Sequence, residues 1–189
     1  MPPRLCILFI AASLPWAARA SMLSDHAATL LPPVSPACIS SPFGPRMLPN
    51  HPLAGHYHYG IDMPAPAGAP VHATAAGKLI RIQRKGAGGL EVMIRHDGFI
   101  GIYSHLGMVT PALAEGKTAI AAGEKLGVVG HSGLTYGMHL YFEMLRAGRP
   151  VDPAPYLGVS LCRGAYRRPS DMLAADGKIP PPRNYAGRQ

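Results

Sequence analysis

From residue 71 onward the chain is written in short apolar runs, many alternating with polar residues and broken by glycine or proline. Residues 78–84 read Lys-Leu-Ile-Arg-Ile-Gln-Arg, an alternation that predicts a half-buried strand. Residues 91–95 and 100–104 are rich in Val, Ile and Tyr and flank Asp97-Gly98, which predicts a hairpin. Residues 125–129, between Gly123 and Gly130, predict another short strand, and residues 138–145 a last one. Ahead of these, residues 22–31 predict a short helix stopped by Pro32, Pro33 and Pro36. After Pro150 the pattern fades, and residues 177–189 are polar and Pro-rich, which predicts disorder. The fold class expected is all-β, mainly antiparallel, with a short N-terminal helix and an irregular C-terminal tail. There is no internal repeat.

Composition agrees with many short strands joined by turns. The chain of 189 residues has 22 glycines, 21 prolines and few aromatics, which suits neither a helical bundle nor several domains. The start looks like a secretory signal: Arg4, an apolar run over 5–14, and Ala18-Arg19-Ala20 as a small-x-small cleavage pattern. The run is short for a membrane anchor, and Pro15 interrupts its end. The expected organisation is a signal peptide over 1–20, a linker over 21–40, one domain over 41–160 and a basic, Pro-rich tail over 161–189. The expected location is the periplasm or cell envelope, with no membrane span after signal removal.

Export changes the reading of the cysteines. Cys6 falls in the signal, so the mature chain keeps Cys38 and Cys162. A single disulfide between them is expected, two independent thiols being the alternative. The net charge of +8 suits attraction to anionic wall polymers or membrane surfaces. No aromatic-basic stripe or nucleic-acid motif accompanies it, so nucleic acid is not the expected partner. Five arginines lie in the tail, at 163, 167, 168, 183 and 188, where they could dock an envelope protein or simply be solvated.

The chemistry sits in three short pieces. The first is His58-Tyr59-Gly60-Ile61-Asp62, the second Tyr103-Ser104-His105-Leu106, the third His139-Leu140-Tyr141-Phe142-Glu143. Imidazole and carboxylate are both zinc ligands, and a hydrolytic zinc keeps about three protein ligands and an open position. His139, Tyr141 and Glu143 share one face of the predicted last strand, and Leu140, Phe142 and Met144 the other. One face can line a groove while the other packs in a core. His105 follows a predicted strand, so its side chain can reach the same groove. Gly86-Ala87-Gly88-Gly89 lacks the Lys-Ser/Thr and helix of a phosphate loop, so a hairpin or groove loop is expected there.

In these pieces the chain resembles the lysostaphin-type, or LytM-like, zinc endopeptidases of bacterial cell walls. The resemblance runs from about residue 41 to 157. It takes in Ser41-Pro42-Phe43-Gly44 with Arg46, Gly123 to Gly130, Ser132-Gly133 and Val151-Asp152-Pro153. It implies a small antiparallel β fold of the duplicated-hybrid-motif kind, with zinc in a groove. It implies that His58 and Asp62 bind the metal and that His105 and His139 act in catalysis. The substrate implied is peptidoglycan, cut at a peptide bond. The third ligand would be a histidine where this chain has Tyr141, and phenol ligates well only as phenolate. Three outcomes stay open: Tyr141 binds zinc, another histidine such as His131 or His56 fills the gap, or the site holds metal weakly. In the last case the protein would be a catalytically impaired relative that binds peptidoglycan or regulates another wall hydrolase.

Overall fold

The structure is a computed structural model that describes residues 30–46 and 52–163. Within them, β1 (Gly44–Pro45) and β2 (Tyr57–His58) form a small two-stranded sheet. A nine-stranded sheet holds β3 (Ile61–Pro64), β4 (Pro70–His72), β5 (Gly77–Lys85), β6 (Gly89–His96), β7 (Phe99–Val109), β8 (Ala119–Ile120), β9 (Lys125–Val129), β10 (His139–Arg146) and β11 (Arg149–Val151). Its main path runs β11-β10-β7-β6-β5-β8, with β3 added to β10 and the pair β9-β4 added to β7. Pairing between these strands is antiparallel throughout. The helices are single turns, α1 (Pro111–Ala114) and α2 (Ala154–Leu157). The chain is therefore the antiparallel β protein that the alternating runs predict.

The predicted strands fall where the pattern places them, and the hairpin turns at Asp97-Gly98 between β6 and β7. The glycine run at 86–89 is a groove-side turn joining β5 to β6. The predicted helix over 22–31 lies largely outside the described residues, and Leu30 and Leu31 are not helical. The signal segment 1–20 and the tail beyond Arg163 also lie outside them.

Period-2 alternation builds the core. Leu140, Phe142 and Met144 of β10 are buried with Ile61, Met63, Val92, Ile94 and Tyr103 in one cluster. Full burial of each such side chain contributes roughly 1.5–3 kcal/mol. The opposite face of β10 carries His139, Tyr141 and Glu143, next to a smaller cluster of Met93, Ile102 and Leu145.

The segment expected as a linker, 21–40, is more than a linker from Leu30 on. Leu30, Val34 and Ile39 are buried in the main core. Their backbone is tied in as well: Leu30 N–H donates to Tyr156 O, and Ile39 N–H to Ser160 O. Pro33 and Pro36 sit in a bent, non-helical stretch over 33–36, and the interspersed apolar residues give that path a buried side. Cys38 and Cys162 are joined, closing a sequence separation of 124.

One buried polar network holds the sheet internally. The Tyr103 hydroxyl accepts from Thr74 N–H at 3.0 Å and lies 3.3 Å from His96 Nε2. His96 Nδ1 lies 3.0 Å from the Ala76 carbonyl, so Nδ1 carries the proton and Nε2 accepts. Burial pushes the His96 pKa down, against smaller upward effects of its backbone hydrogen bonds, and pushes Tyr103 up to about 12. A lowered folded-state pKa means stability is full above the ordinary imidazole value near 6.5 and is lost as pH falls below it. Thermal unfolding should therefore come earlier at pH 5 than at pH 7, by about 2–4 °C for each kcal/mol lost. His96→Gln should flatten that part of the profile; an unchanged slope would remove His96 as its source.

Candidate functional site

A groove of about 330 Å³ lies on the polar side of β10. Its walls include His58, Asp62, His105, His139 and Tyr141. All five side chains singled out in the sequence thus meet in one place, brought there by four strands. β10 runs between β3 and β7, so Tyr141 pairs with Asp62 on one side and with Ser104 on the other. His56 and His131 are exposed and do not line the groove, so neither fills the third ligand position here.

His58 enters from β2. Between it and Asp62, Gly60 passes so close to β10 that a Cβ would collide with the Phe142 carbonyl oxygen and the Tyr141 ring. This is why the short turn needs glycine. Asp62 is fixed from its backbone: its N–H donates to Ser41 O at 3.0 Å, and its carbonyl accepts from Ser40 N–H at 2.9 Å.

His105 owes its position to a bulge. Leu90 pairs with Leu106 and Val92 with Tyr103, so Glu91 on β6 faces both Ser104 and His105 on β7. The extra residue kinks β7 and re-aims a side chain. His105 takes φ of 64°, a left-handed conformation that costs a bulky residue of order 1–3 kcal/mol. Below it, Glu91 accepts from Ser104 Oγ at 3.0 Å and from Gln83 Nε2 at 2.6 Å.

The three histidines share one device. Each places Nδ1 against a backbone carbonyl: His58 on Pro42 at 3.0 Å, His105 on Ser132 at 2.9 Å and His139 on Gly137 at 2.9 Å. A carbonyl only accepts, so each Nδ1 holds the hydrogen and each Nε2 is left for the groove. Asp62 Oδ1 lies 3.1 Å from His58 Nε2 and 3.4 Å from His139 Nε2, and Asp62 Oδ2 lies 3.7 Å from Arg46 Nη1. Burial alone would raise the Asp62 pKa; the charge of His58 and hydrogen bonds with His139 and His58 overcome it and hold the carboxyl well below its usual range. Burial also works against charge on His139, but the hydrogen bond and charge of Asp62 prevail and raise it. His105 shifts the other way: burial first, then the neighbouring charge of His139, lower it. Two similar rings, centroids 4.9 Å apart, are thus shifted in opposite directions from the ordinary imidazole value.

Ser132 was not given a role by its residue type. Its carbonyl orients His105, while its hydroxyl accepts from Leu90 N–H at 2.9 Å and donates to Leu106 O at 2.7 Å. Ser132→Ala leaves two backbone groups of the bulge without that partner. A loss of about 1–3 kcal/mol is expected in urea unfolding. His105 should also lose definition, seen as broadening of its ring signals in NMR spectra, with the His96 signals unchanged.

Zinc can be tested against these donors. His58 Nε2 and the Asp62 carboxylate fit, being an imidazole nitrogen and a carboxylate oxygen in mutual reach. Tyr141 does not: its hydroxyl lies 2.9 Å from Glu143 Oε2 and donates to it. Among the described residues no three His, Cys, Asp or Glu side chains make an already closed metal-binding group.

Residues 56–153 match the model of a family described as Peptidase family M23. A DD-carboxypeptidase/endopeptidase, Mpg of Neisseria meningitidis, is 42% identical over 118 residues, 61% of this chain and 26% of that protein. The chain thus corresponds to about a quarter of that curated relative. Among solved structures, a zinc-containing peptidase from Vibrio cholerae superposes with a TM-score of 0.55 and 30% identity, over 70% of this chain and 40% of that one. The catalytic domain of lysostaphin from Staphylococcus simulans gives 0.54 and 27%, over 62% and 89%.

Proposed function

Because the chain belongs to peptidase family M23, we propose that it is an exported zinc endopeptidase that cleaves peptide bonds in peptidoglycan. The observation that carries this reading is the meeting of His58, Asp62, His105 and His139 in one groove. His58 and Asp62 hold the metal. When bound, zinc polarises the scissile carbonyl and brings the pKa of a water toward neutrality. His105, kept neutral by its burial, accepts a proton at Nε2. His139 stands next to it with Nδ1 fixed, so that Nε2 points at Asp62. Exposed Leu53, Leu134, Tyr136 and Met138 line the groove mouth and give a peptide apolar walls.

Cleavage after Ala20 delivers the protein to the periplasm or cell envelope in this proposal. Relatives named as a peptidoglycan DD-endopeptidase and as a lipoprotein fit an envelope setting. Among the described residues no helix is long and apolar enough to cross a membrane. The basic tail is the proposed contact for an envelope protein.

A second reading has its own observation. Because the Tyr141 hydroxyl is engaged by Glu143, the site could be catalytically impaired, and the protein would then bind peptidoglycan or regulate another wall hydrolase. One experiment separates the two. The mature protein, with its zinc content measured, is incubated with purified peptidoglycan, and released muropeptides are followed by mass spectrometry. Zinc-dependent release that stops with a chelator supports the enzyme. Sedimentation with peptidoglycan and no release supports the second reading.

A further inference from the structure

We propose that His139, not Tyr141, completes the metal-binding set with His58 and Asp62. The inference rests on the zinc reading above and deepens it. Three observations carry it.

The first is distance. In a tetrahedral site with donors about 2.0–2.1 Å from zinc, neighbouring donors are about 3.3 Å apart. Asp62 Oδ1 is 3.1 Å from His58 Nε2 and 3.4 Å from His139 Nε2. The spacing on both sides of the carboxylate is that of two ligands of one ion.

The second is tautomer. His58 and His139 both commit Nδ1–H to backbone carbonyls, and Thr135 Oγ1 lies 3.2 Å from His139 Nδ1 as a further support. Two Nε2 atoms therefore turn toward one carboxylate oxygen. With both rings neutral, these are lone pairs facing lone pairs. A cation among them resolves the repulsion. A metal ion bound among them takes up those lone pairs. The closed set needs the two imidazoles to draw together around Asp62, a side-chain adjustment at the two ring positions.

The third is Tyr141 itself. Ligation needs phenolate, and the acceptor 2.9 Å from this hydroxyl is the carboxyl of Glu143, itself buried. That hydrogen bond turns the phenol oxygen toward Glu143 and engages its proton. The hydroxyl bonds toward residue 143, down the strand from Tyr141, while His139 lies two residues up it. Tyr141 then serves as a wall against the His58 ring, 5.3 Å between centroids. His105 is left as the histidine that faces substrate.

The test uses the full mature chain with zinc, then copper(II), as probes. Zinc affinity is measured by competition with a chromophoric chelator. His139→Ala should weaken zinc by at least about a hundredfold, the upper end of what losing even an outer partner of a ligand costs. Tyr141→Phe should stay within about threefold of the natural protein, since no metal donor is removed. Circular dichroism checks that both variants fold. If His139→Ala fails to fold, the copper(II) form of the natural chain decides: absence of a visible phenolate-to-copper band supports the assignment, and its presence overturns it. Loss of zinc in Tyr141→Phe with retention in His139→Ala also overturns it. Zinc binding that follows this pattern without muropeptide release would keep the ligand set and defeat the endopeptidase reading. Release by the natural chain with zinc retained in His139→Ala would do the reverse.

Discussion

Asp62→Ala is expected to abolish tight zinc binding and to cut muropeptide release by more than about a hundredfold. The Asp62 carboxylate gathers three partners in the groove. One oxygen is shared by His58 and His139, and the other faces Arg46. The alanine variant leaves three potentially cationic groups around a missing anion, so the loss is electrostatic as well as coordinative. The backbone argues that the effect will be local. Both main-chain groups of Asp62 are bonded to Ser40 and Ser41, and β3 keeps its pairing to β10 whatever side chain residue 62 carries. In the metal-free protein the depressed Asp62 pKa has a definite sign. The charged form stabilises the fold above the usual carboxylate range, and that contribution is lost as pH falls. Asp62→Ala should therefore be less stable than the natural chain at pH 7, and the gap should narrow in acid. Asp62→Asn keeps the size of the side chain without the charge. It should behave like alanine in zinc titration, because charge and not shape is what the metal needs. Undiminished zinc and release in Asp62→Ala would place the metal elsewhere.

Much of this was legible in the sequence, and the reason is periodicity. Alternation along residues 139–144 puts polar and apolar side chains on opposite faces, and the structure buries Leu140, Phe142 and Met144 accordingly. Asp97-Gly98 marked a turn through a backbone conformation that glycine adopts at no cost, and Gly98 has φ of 76° there. Imidazoles and carboxylates also announce themselves by residue type. What stayed hidden was set by the main chain. The carbonyls of Pro42, Ser132 and Gly137 fix which nitrogen of each histidine is free, and a carbonyl has no residue signature. The bulge that aims His105 depends on β6 and β7 being one residue out of step, which no local pattern records. Glu143 was legible as a groove-face residue, but not as the acceptor for Tyr141, because both faces of β10 are buried and the rotamers are chosen by packing. Residues 30–40 read as a linker for a related reason. Prolines suppress periodicity, so buried Leu30, Val34 and Ile39 gave no signal of a core-facing element.

Reducing the Cys38–Cys162 bridge, or replacing both cysteines by serine, should lower stability by about 2–5 kcal/mol. The loop it closes spans 124 positions, so the unfolded chain loses much of its freedom when the bridge is intact. The effect should also reach the groove, because of what the bridge holds. Beside it, Ile39 bridges Leu161 in parallel, with Ile39 N–H donating to Ser160 O and Cys162 N–H to Ile39 O. The next residues, Ser40 and Ser41, carry the backbone bonds to Asp62. Ser41 Oγ lies 3.3 Å from His58 Nδ1, and the following residue, Pro42, supplies the carbonyl that sets the His58 tautomer. One short segment thus runs from the disulfide to two metal-ligand candidates. The pairing of β3 with β10 does not depend on it, so the sheet should survive reduction. Urea unfolding with and without reductant measures the stability term, read as a lower midpoint. Zinc competition on the same samples measures the local term, expected as a loss of about tenfold, comparable to removing an outer support of a ligand. Equal midpoints would mean that the bridge constrains nothing the fold does not already hold. A lower midpoint with unchanged zinc affinity would show that segment 38–42 keeps its place by hydrogen bonds alone.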